Sequence, residues 1–599
     1  MGYGARARRV PALGGAILTD VDIFKIALMG KTERGLVDGD GNSVVHSEIY
    51  SMNDFYLKCG GFKSSFISPY VAQSFFDELE RSTSCEMKVL NYVDVAAAQA
   101  AYSILDGATP GVSIFGISAG RKGLNDKSLF GNKIAIKITQ INTVTMKLTA
   151  LISDTDVTCT LDSVDNLEIG NYIKFTEGAD TETRVITDIN KSTRVVTFAA
   201  ISESGGFSIS ETIVSRVDWE LEVYVKDDLG NYQKKETWEG PLAQSNTIGL
   251  AADVNNTESG SDFVILAVNA ANASLPEEQT PLALTTETPL TGGSDGATPG
   301  DSDWLTLVDE LTSTEFTILL APESASIAHN VSMISFCTDG YKGVFYSQAV
   351  NEAGEETLKN FGASCRGSIK FAMLPGDKWV KVNDPSVSGG KKDIPKVGID
   401  AGFWFNVYSN FGESKVAAGN KSEMVLKTSA TLVDTNALVH DDKNGVGGRL
   451  IRKYSVNICK YTRGRGITNN SARTFSTDDG YKYQNQIMQW ILYSRSILAY
   501  LQQVEQDRSG ASAMANHRIQ VWKYMKGKYK SGHLFQGQRE DGSKTTFEDV
   551  CIIVNDFSIN TLANINNGIE EIFLQFVGVP PIEEPILSLA SAPVTSVSA

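Results

Sequence analysis

At 599 residues the chain exceeds what one hydrophobic core organises, so several domains are expected. Its composition, 42% apolar and 21% charged, is that of a globular protein, and a net charge of -17 argues against nucleic-acid binding, because neutralising phosphates takes a basic surface. The seven cysteines (59, 85, 159, 337, 365, 459 and 551) stand singly with no CxxC, which fits free thiols in a reducing compartment better than a disulfide framework or a zinc site.

Residues 1–22 read as a Gly-rich arm with Arg6, Arg8 and Arg9, too short to hold a core of its own. Its basic start resembles a signal peptide, but Asp20 and Asp22 follow the apolar run at once and no small-residue cleavage site closes it, so a non-secreted chain is expected. Arg6 stands where N-myristoylation needs Ser or Thr, and no run of about 18 apolar residues is there to enter a membrane.

Ile23 to Met29 predicts a strand, and Ser68 to Arg81 a helix with Val71, Phe75 and Leu79 on one face. Cys85 to Leu90 predicts a strand, Asp94 to Leu105 an Ala-rich helix, and Val112 to Ile117 another strand, together a βαβ unit. The pattern is interrupted after Gly131 to Ile138. From Gln140 to Ser215 short strands alternate with turn residues, which predicts a small, barrel-like all-β insertion over 140–215. After a strand at Trp219 to Val225 the alternation resumes: helix Trp304 to Leu311, strand Phe316 to Leu320, helix His329 to Asp339, and strands at Gly343 to Ser347 and Lys370 to Leu374. The expectation is a three-layer α/β sheet domain built from 23–139 and 216–398, followed by an α+β domain over 399–578.

In that last domain Tyr481 to Asp507 predicts a long helix with Ile487, Ile491, Leu498 and Leu501 on its apolar stripe, and Ser512 to Lys526 a second that buries Ile519, Trp522 and Met525. Val550 to Val554 reads as a strand buried on both faces, and Ile572, Leu574 and Phe576 alternate with Glu571, Phe573 and Gln575. Pro580 and Pro581 stop the ladder. Residues 579–599 then form a second arm, whose Ile586, Leu587 and Leu589 are too apolar for a merely solvated tail. It either folds back or adds as an edge strand to a neighbouring molecule.

No catalytic constellation emerges, so the chain is not expected to be an enzyme. Asp38-Gly-Asp-Gly-Asn42 imitates a calcium loop but has Ser43 and Ile49 where Gly and Glu are needed, and a turn is the better reading. The five histidines are dispersed, no GxSxG is present, and Glu570 and Glu571, or Glu583 and Glu584, point oppositely if extended. Gly292-Gly-Ser-Asp-Gly296 lacks the Lys of a phosphate loop and reads as a sharp turn; Arg463-Gly-Arg-Gly466 reads as a loop. The basic run Arg518, Lys523, Lys526, Lys528 and Lys530, interleaved with Trp522, Tyr524 and Tyr529, is either a solvated helix face or a docking surface for an acidic protein.

Several stretches, in their order and spacing, resemble the tail sheath proteins of contractile phage tails. They are Phe24 to Gly30, Phe55 to Gly61, Tyr70 to Phe76, and Phe130 to Ile134; the turn Leu290 to Gly296 followed by a helix and Thr317 to Pro322; Ser471-Ala-Arg-Thr474 before the long helix; then Gly532-His-Leu534, Asp549 to Val554, Gly568 to Val577 and Pro580 to Glu584. Asn470-Ser471 replaces the family's Trp-Gly and Val504 to Asp507 its Phe-Glu-Pro-Asn, which marks a distant member. The resemblance implies a structural subunit, without cofactor or metal, that polymerises with itself as stacked hexameric rings around a tail tube protein. Baseplate and tail terminator proteins would be its other partners. It further implies genome ejection by contraction without nucleotide, in a virion tail assembled in host cytoplasm. Arm residues Arg6, Arg8, Arg9, Ile17, Leu18, Ile582, Glu583, Glu584, Ile586, Leu587 and Leu589 would link subunits, and Gly292, Gly293, Asp295 and Gly296 would be the family turn. The basic run becomes a tube-facing patch, and 140–215 an outward decoration. The alternatives are a sheath subunit of a bacterial contractile injection system, tailocin or type VI-like, and a surface carbohydrate-binding β-rich protein.

Overall fold

The computed structural model describes residues 18–80, 83–105, 113–141, 144–227, 229–241, 249–268, 283–387, 389–418, 425–427, 430–433, 445–462, 466–504, 511–539, 541–561 and 570–580. Its organising element is a six-stranded sheet. Lys25–Gly30 (β1) leads through the helix Ser68–Glu78 (α1) to Glu86–Asn91 (β2), and Ile318–Leu320 (β3), Val344–Tyr346 (β4) and Ala372–Met373 (β5) extend the sheet from the other side of β1. These strands run parallel, and Val45–Ile49 closes the β2 edge antiparallel. A strand between two parallel neighbours is covered on both faces, which is why Lys-Ile-Ala-Leu-Met-Gly reads as an unbroken apolar run and why Ile26 to Met29 are fully buried. Helices Ile327–Asp339 and Glu355–Cys365 supply the crossovers from β3 to β4 and from β4 to β5.

Helix α1 packs along Val397–Phe411 (α2) at backbone contact. A Cβ at Gly398 would stand 2.4 Å from the Val71 carbonyl oxygen, and one at Gly402 2.7 Å from that of Phe75, so the two glycines one turn apart set the helix spacing.

Among the described residues three hydrophobic cores result, and they divide the chain differently from the expected domains. One runs from Leu18 to Leu90 and again from Trp304 to Cys551, so the residues after 399 share it with the parallel sheet. A second gathers Ala100 to Ile138 with Val217 to Leu290, and a third lies within Met146 to Val214. The expected α/β region of 23–139 and 216–398 is therefore two bodies of structure. Its middle is antiparallel throughout, with Ile134–Ile141, Asp218–Lys226 and Tyr232–Pro241 forming a meander. The expected helix at Asp94 to Leu105 is overturned for the same reason: Ala101–Leu105 is a strand paired antiparallel with Ser113–Arg121, and Ala98 and Ala101 bridge Ser294 and Thr291. Pairing on both sides outweighs the helix propensity of alanine, since intrinsic propensity is a small bias beside tertiary pairing. The 144–216 segment forms a four-stranded and a three-stranded sheet around Phe175, Phe198 and Phe207.

Late in the chain, Gln484–Gln503 (α3) and Ala511–Lys530 (α4) lie antiparallel, with Tyr493 against Tyr524 and Tyr500 against His517. The expected stripe on α3 holds for Ile487 and Ile491 but fails at Leu498, which is 56% exposed. Past mid-helix Ile497 and Tyr500 are buried instead, Tyr500 against His517 of α4. On α4 Met525 is buried with Met514, His517 and Val521, whereas Ile519 and Trp522, expected inside, face out. The chain's last described strands, Cys551–Val554 (β6) and Phe573–Phe576 (β7), form a two-stranded antiparallel sheet. The predicted alternation of Leu574 and Phe576 with Phe573 and Gln575 is present. Burial of β6 on both faces is not: Ile552 is 49% exposed, because among the described residues the hairpin is covered on only one of its faces.

Candidate assembly surface

A charge network centred on Lys528 pins the α3–α4 pair. Lys528 Nζ lies 2.7 Å from Asp20 Oδ2 and 2.9 Å from Glu413 Oε1, with its side chain only 12% exposed. The Tyr524 hydroxyl donates to Asp20 Oδ1 at 2.6 Å and that of Tyr493 to Glu413 Oε1 at 3.1 Å, while the ammonium lies 5.4 Å from both ring centroids. Burial first, then the neighbouring carboxylates, pushes both phenols far above the usual tyrosine range, so they remain donors at any physiological pH. Val21 N also donates to Ser496 Oγ at 3.1 Å, and Leu18 is buried in the main core. The described end of the expected N-terminal arm, residues 18–22, is thus docked on its own chain.

This network corrects the expected basic patch. Lys528 points inward and belongs to the fold. Lys523, Lys526 and Lys530 fall within roughly 60° of arc at about 100° per residue, and Ile519 and Trp522 share or flank that arc. Lys526 Nζ stands 4.0 Å from the Trp522 ring centroid, and Trp522 in turn meets Phe547 edge-on at 5.7 Å. The outcome is an exposed face of α4 that is basic and aromatic at once. Arg518, one turn earlier, is exposed as well.

Beside this helix, His517 Nδ1 lies 2.9 Å from Glu570 Oε1, and Asn555 Nδ2 donates to the same oxygen at 2.7 Å, tying α4 to the β6–β7 hairpin. Nothing in the sequence announced that link, since its members are far apart in the chain. Along β7 runs an open groove of about 760 Å³, lined by Asp478, Asp479, Trp490, Phe535, Leu574 and Phe576. Among the described residues β7 has no strand on its second side.

The Gly292 to Gly296 turn works as a clasp between the first two cores. Gly292 and Gly296 have φ of +89° and +66°, a region that disfavours side chains. Gly293 exchanges both backbone hydrogen bonds with the Asn132 amide, Asp295 Oδ1 accepts from Leu129 N at 2.8 Å, and its other oxygen pairs with Lys63. Lys31 Nζ donates to the carbonyls of Asp295 at 3.2 Å and Ala297 at 3.0 Å. At Gly296 a Cβ would sit 2.5 Å from that of Asp94. Gly296→Ala is therefore expected to lower stability by about 1–3 kcal/mol, read from urea denaturation.

Two further features were not foreseen. The strand order places a switch point between β1 and β3, where open α/β sheets commonly bind ligands. Here Glu323 Oε1 fills the first turn of α1, accepting from Ser68 N at 2.9 Å, Ser68 Oγ at 2.8 Å and Ile67 N at 3.1 Å, so the anion position at that helix end holds the chain's own carboxylate. The second feature is a fully buried ion pair, Arg34 with Asp126, at 2.9 Å between the first and second cores. Asp38 to Asn42 is a turn, as expected, with Asn42 N and Asp40 N donating to Asp38 Oδ1. All seven cysteines are buried as free thiols. Arg6, Arg8, Arg9, Ile17, Arg463, Ile582, Glu583, Glu584, Ile586, Leu587 and Leu589 lie outside the described residues.

No family model matches the sequence, and no curated protein matches it. Solved structures do. A crystal structure of a sheath tail protein from Desulfitobacterium hafniense shares 11% identity over 92% of this chain and 95% of its own, with a TM-score of 0.42. The contracted sheath complex of the extracellular contractile injection system PVC shares 19% over 48% of this chain and 75% of its own, with a TM-score of 0.40. The contracted helical sheath of the anti-feeding prophage shares 18% over 51% and 77%, with a TM-score of 0.37. All three of these similar structures are sheath proteins, two of them in the contracted state.

Proposed function

We infer that this chain is the structural subunit of a contractile tail sheath. It polymerises as stacked hexameric rings around an inner tube and drives that tube forward by rearranging contacts between subunits, with no nucleotide hydrolysed. The observation that carries this reading is the β6–β7 hairpin. Among the described residues it is a sheet of two strands, below the size that is stable alone, with an open groove along β7 and an apolar segment, Ile582 to Leu589, following it in sequence. A strand supplied by a neighbouring subunit's arm completes such a sheet through main-chain hydrogen bonds while leaving the rigid bodies free to rotate. The motif order in the sequence supports the same reading, as does the closed β1–β3 switch point.

Within it, the parallel-sheet region is a three-layer α/β domain, 140–215 is an outward decoration, and residues 1–17 and 579–599 are the linking arms. The particle is a virion tail, assembled in host cytoplasm and closed by baseplate and terminator proteins. A bacterial injection system would use the same subunit and differ in lacking a capsid.

The exposed face of α4 is the tube-facing surface, and Lys523, Lys526 and Lys530 orient it against an acidic tube. Reversing these three to Glu while keeping Lys528 is expected to reduce co-sedimentation with tube by at least about 10-fold, with an unchanged circular dichroism spectrum. Undiminished co-sedimentation would remove α4 from the tube interface.

A further inference from the structure

We propose that Lys396 and Asn469 are joined, or poised to join, by an intramolecular isopeptide bond, with Asp400 as the proton carrier. Lys396 closes the strand Gly390–Pro395 and stands at the entry of α2, Asp400 lies in that helix's first turn, and Asn469 ends the strand Gly466–Asn469. All three are buried, at 2%, 3% and 4% exposure. Their hydrogen bonds close a triangle. Lys396 Nζ donates to Asp400 Oδ1 and, at 2.9 Å, to Asn469 Oδ1, while Asn469 Nδ2 donates at 2.8 Å to the same Asp400 oxygen.

An ordinary buried ion pair needs no carboxamide as its third member. Here the nucleophile is one hydrogen bond from the oxygen of the carbon it would attack, and a single carboxylate oxygen touches both nucleophile and leaving group. Such fixed proximity replaces the entropy that makes amide exchange slow in solution, and burial keeps competing water out. The site is close-fitting: a Cβ at Gly376 would lie 2.9 Å from Lys396 Cε and 3.0 Å from Nζ.

The chemistry balances without any added reagent. Asp400 accepts a proton from the Lys396 ammonium, and the freed lone pair attacks Asn469 Cγ. The tetrahedral intermediate expels Nδ2, and both protons that Nζ gives up leave with that nitrogen as ammonium, handed on by Asp400. One C–N bond forms and one breaks. The product closes a loop spanning 73 positions and staples the start of α2 to the strand before α3. The proposal stands on this geometry alone and does not require the sheath reading.

The test is the intact mass of the purified, denatured full-length chain, followed by tandem mass spectrometry of its tryptic peptides. The expected result is a mass about 17 Da below that of the sequence, the mass of ammonia, with a branched peptide joining Lys396 to Asn469. Asn469→Ala and Asp400→Asn should both restore the full mass. The full mass in the wild-type chain after prolonged incubation at physiological temperature overturns the proposal. So does the same loss without the branched peptide, because a succinimide elsewhere is equally light. Since the wild-type chain is itself read, a variant that fails to fold does not spare the proposal.

Discussion

Arg34→Met is expected to lower the unfolding free energy by about 3–5 kcal/mol, the usual cost of stranding one partner of a buried ion pair. Both side chains have no exposed surface, so after the substitution Asp126 would face the interior as an uncompensated charge. The damage would spread beyond the pair. Arg34 Nη1 donates to the Leu57 carbonyl at 2.7 Å and Nη2 to that of Gly120 at 3.1 Å, and its guanidinium lies 4.9 Å from the Phe130 ring centroid. One side chain thereby satisfies groups on both of the cores it joins. Adding Asp126→Leu should recover part of the loss, since apolar residues of similar volume often replace a buried pair at little cost. The recovery will be incomplete, because Asp126 also accepts from Gly35 N at 2.9 Å and Ser128 Oγ at 2.6 Å. Urea denaturation of the two single variants and the double variant gives the coupling directly. Losses that merely add would show that the two charges do not hold the cores together.

Lys528→Met should cost about 2–4 kcal/mol, somewhat less, because Asp20 is half exposed and can turn to water when its partner is lost. Glu413 cannot, with 5% of its side chain exposed. The change keeps the length of the side chain and removes only the charge, so the loss reports the network rather than a cavity. The N-terminal segment should loosen with it. Hydrogen exchange at Val21 N, which rests on Ser496 Oγ, is expected to speed up in this variant and to remain slow in Lys523→Met, whose side chain is on the solvent face. Equal protection in both variants would mean that Asp20 and Lys528 do not hold the segment.

How much of the fold is legible in the sequence follows from which interactions are local. The parallel strands around β1 are written in continuous apolar runs, the helix at Ser68 and the alternation of β7 in periodicities of 3.6 and two residues, and they stand where those patterns put them. Asp94 to Leu105 misleads because alanine is the best of helix formers while intrinsic propensity yields to tertiary pairing, and the decisive partners, Thr291 and Ser294, lie nearly two hundred residues downstream. Leu498, Ile519 and Trp522 depart from expectation for another reason. A helical stripe predicts which residues share a face, but which face is covered depends on the neighbouring helix and on where it ends. The basic run illustrates the same limit at the candidate site. Its density is plain in the sequence, yet the positions of Asp20 and Glu413 separate structural Lys528 from the other lysines of the run. The Lys396, Asp400 and Asn469 triangle is invisible there, since its third member arrives from a strand 73 positions on.

If the chain polymerises through its ends, negative-stain electron microscopy of the full chain beside a form ending at Val579 will reveal it. Hollow rods or stacked rings are expected from the full chain and dispersed particles from the shortened one, whose hairpin and groove remain but whose linking segment is gone. Monodisperse monomers from both, even at high concentration, would contradict it.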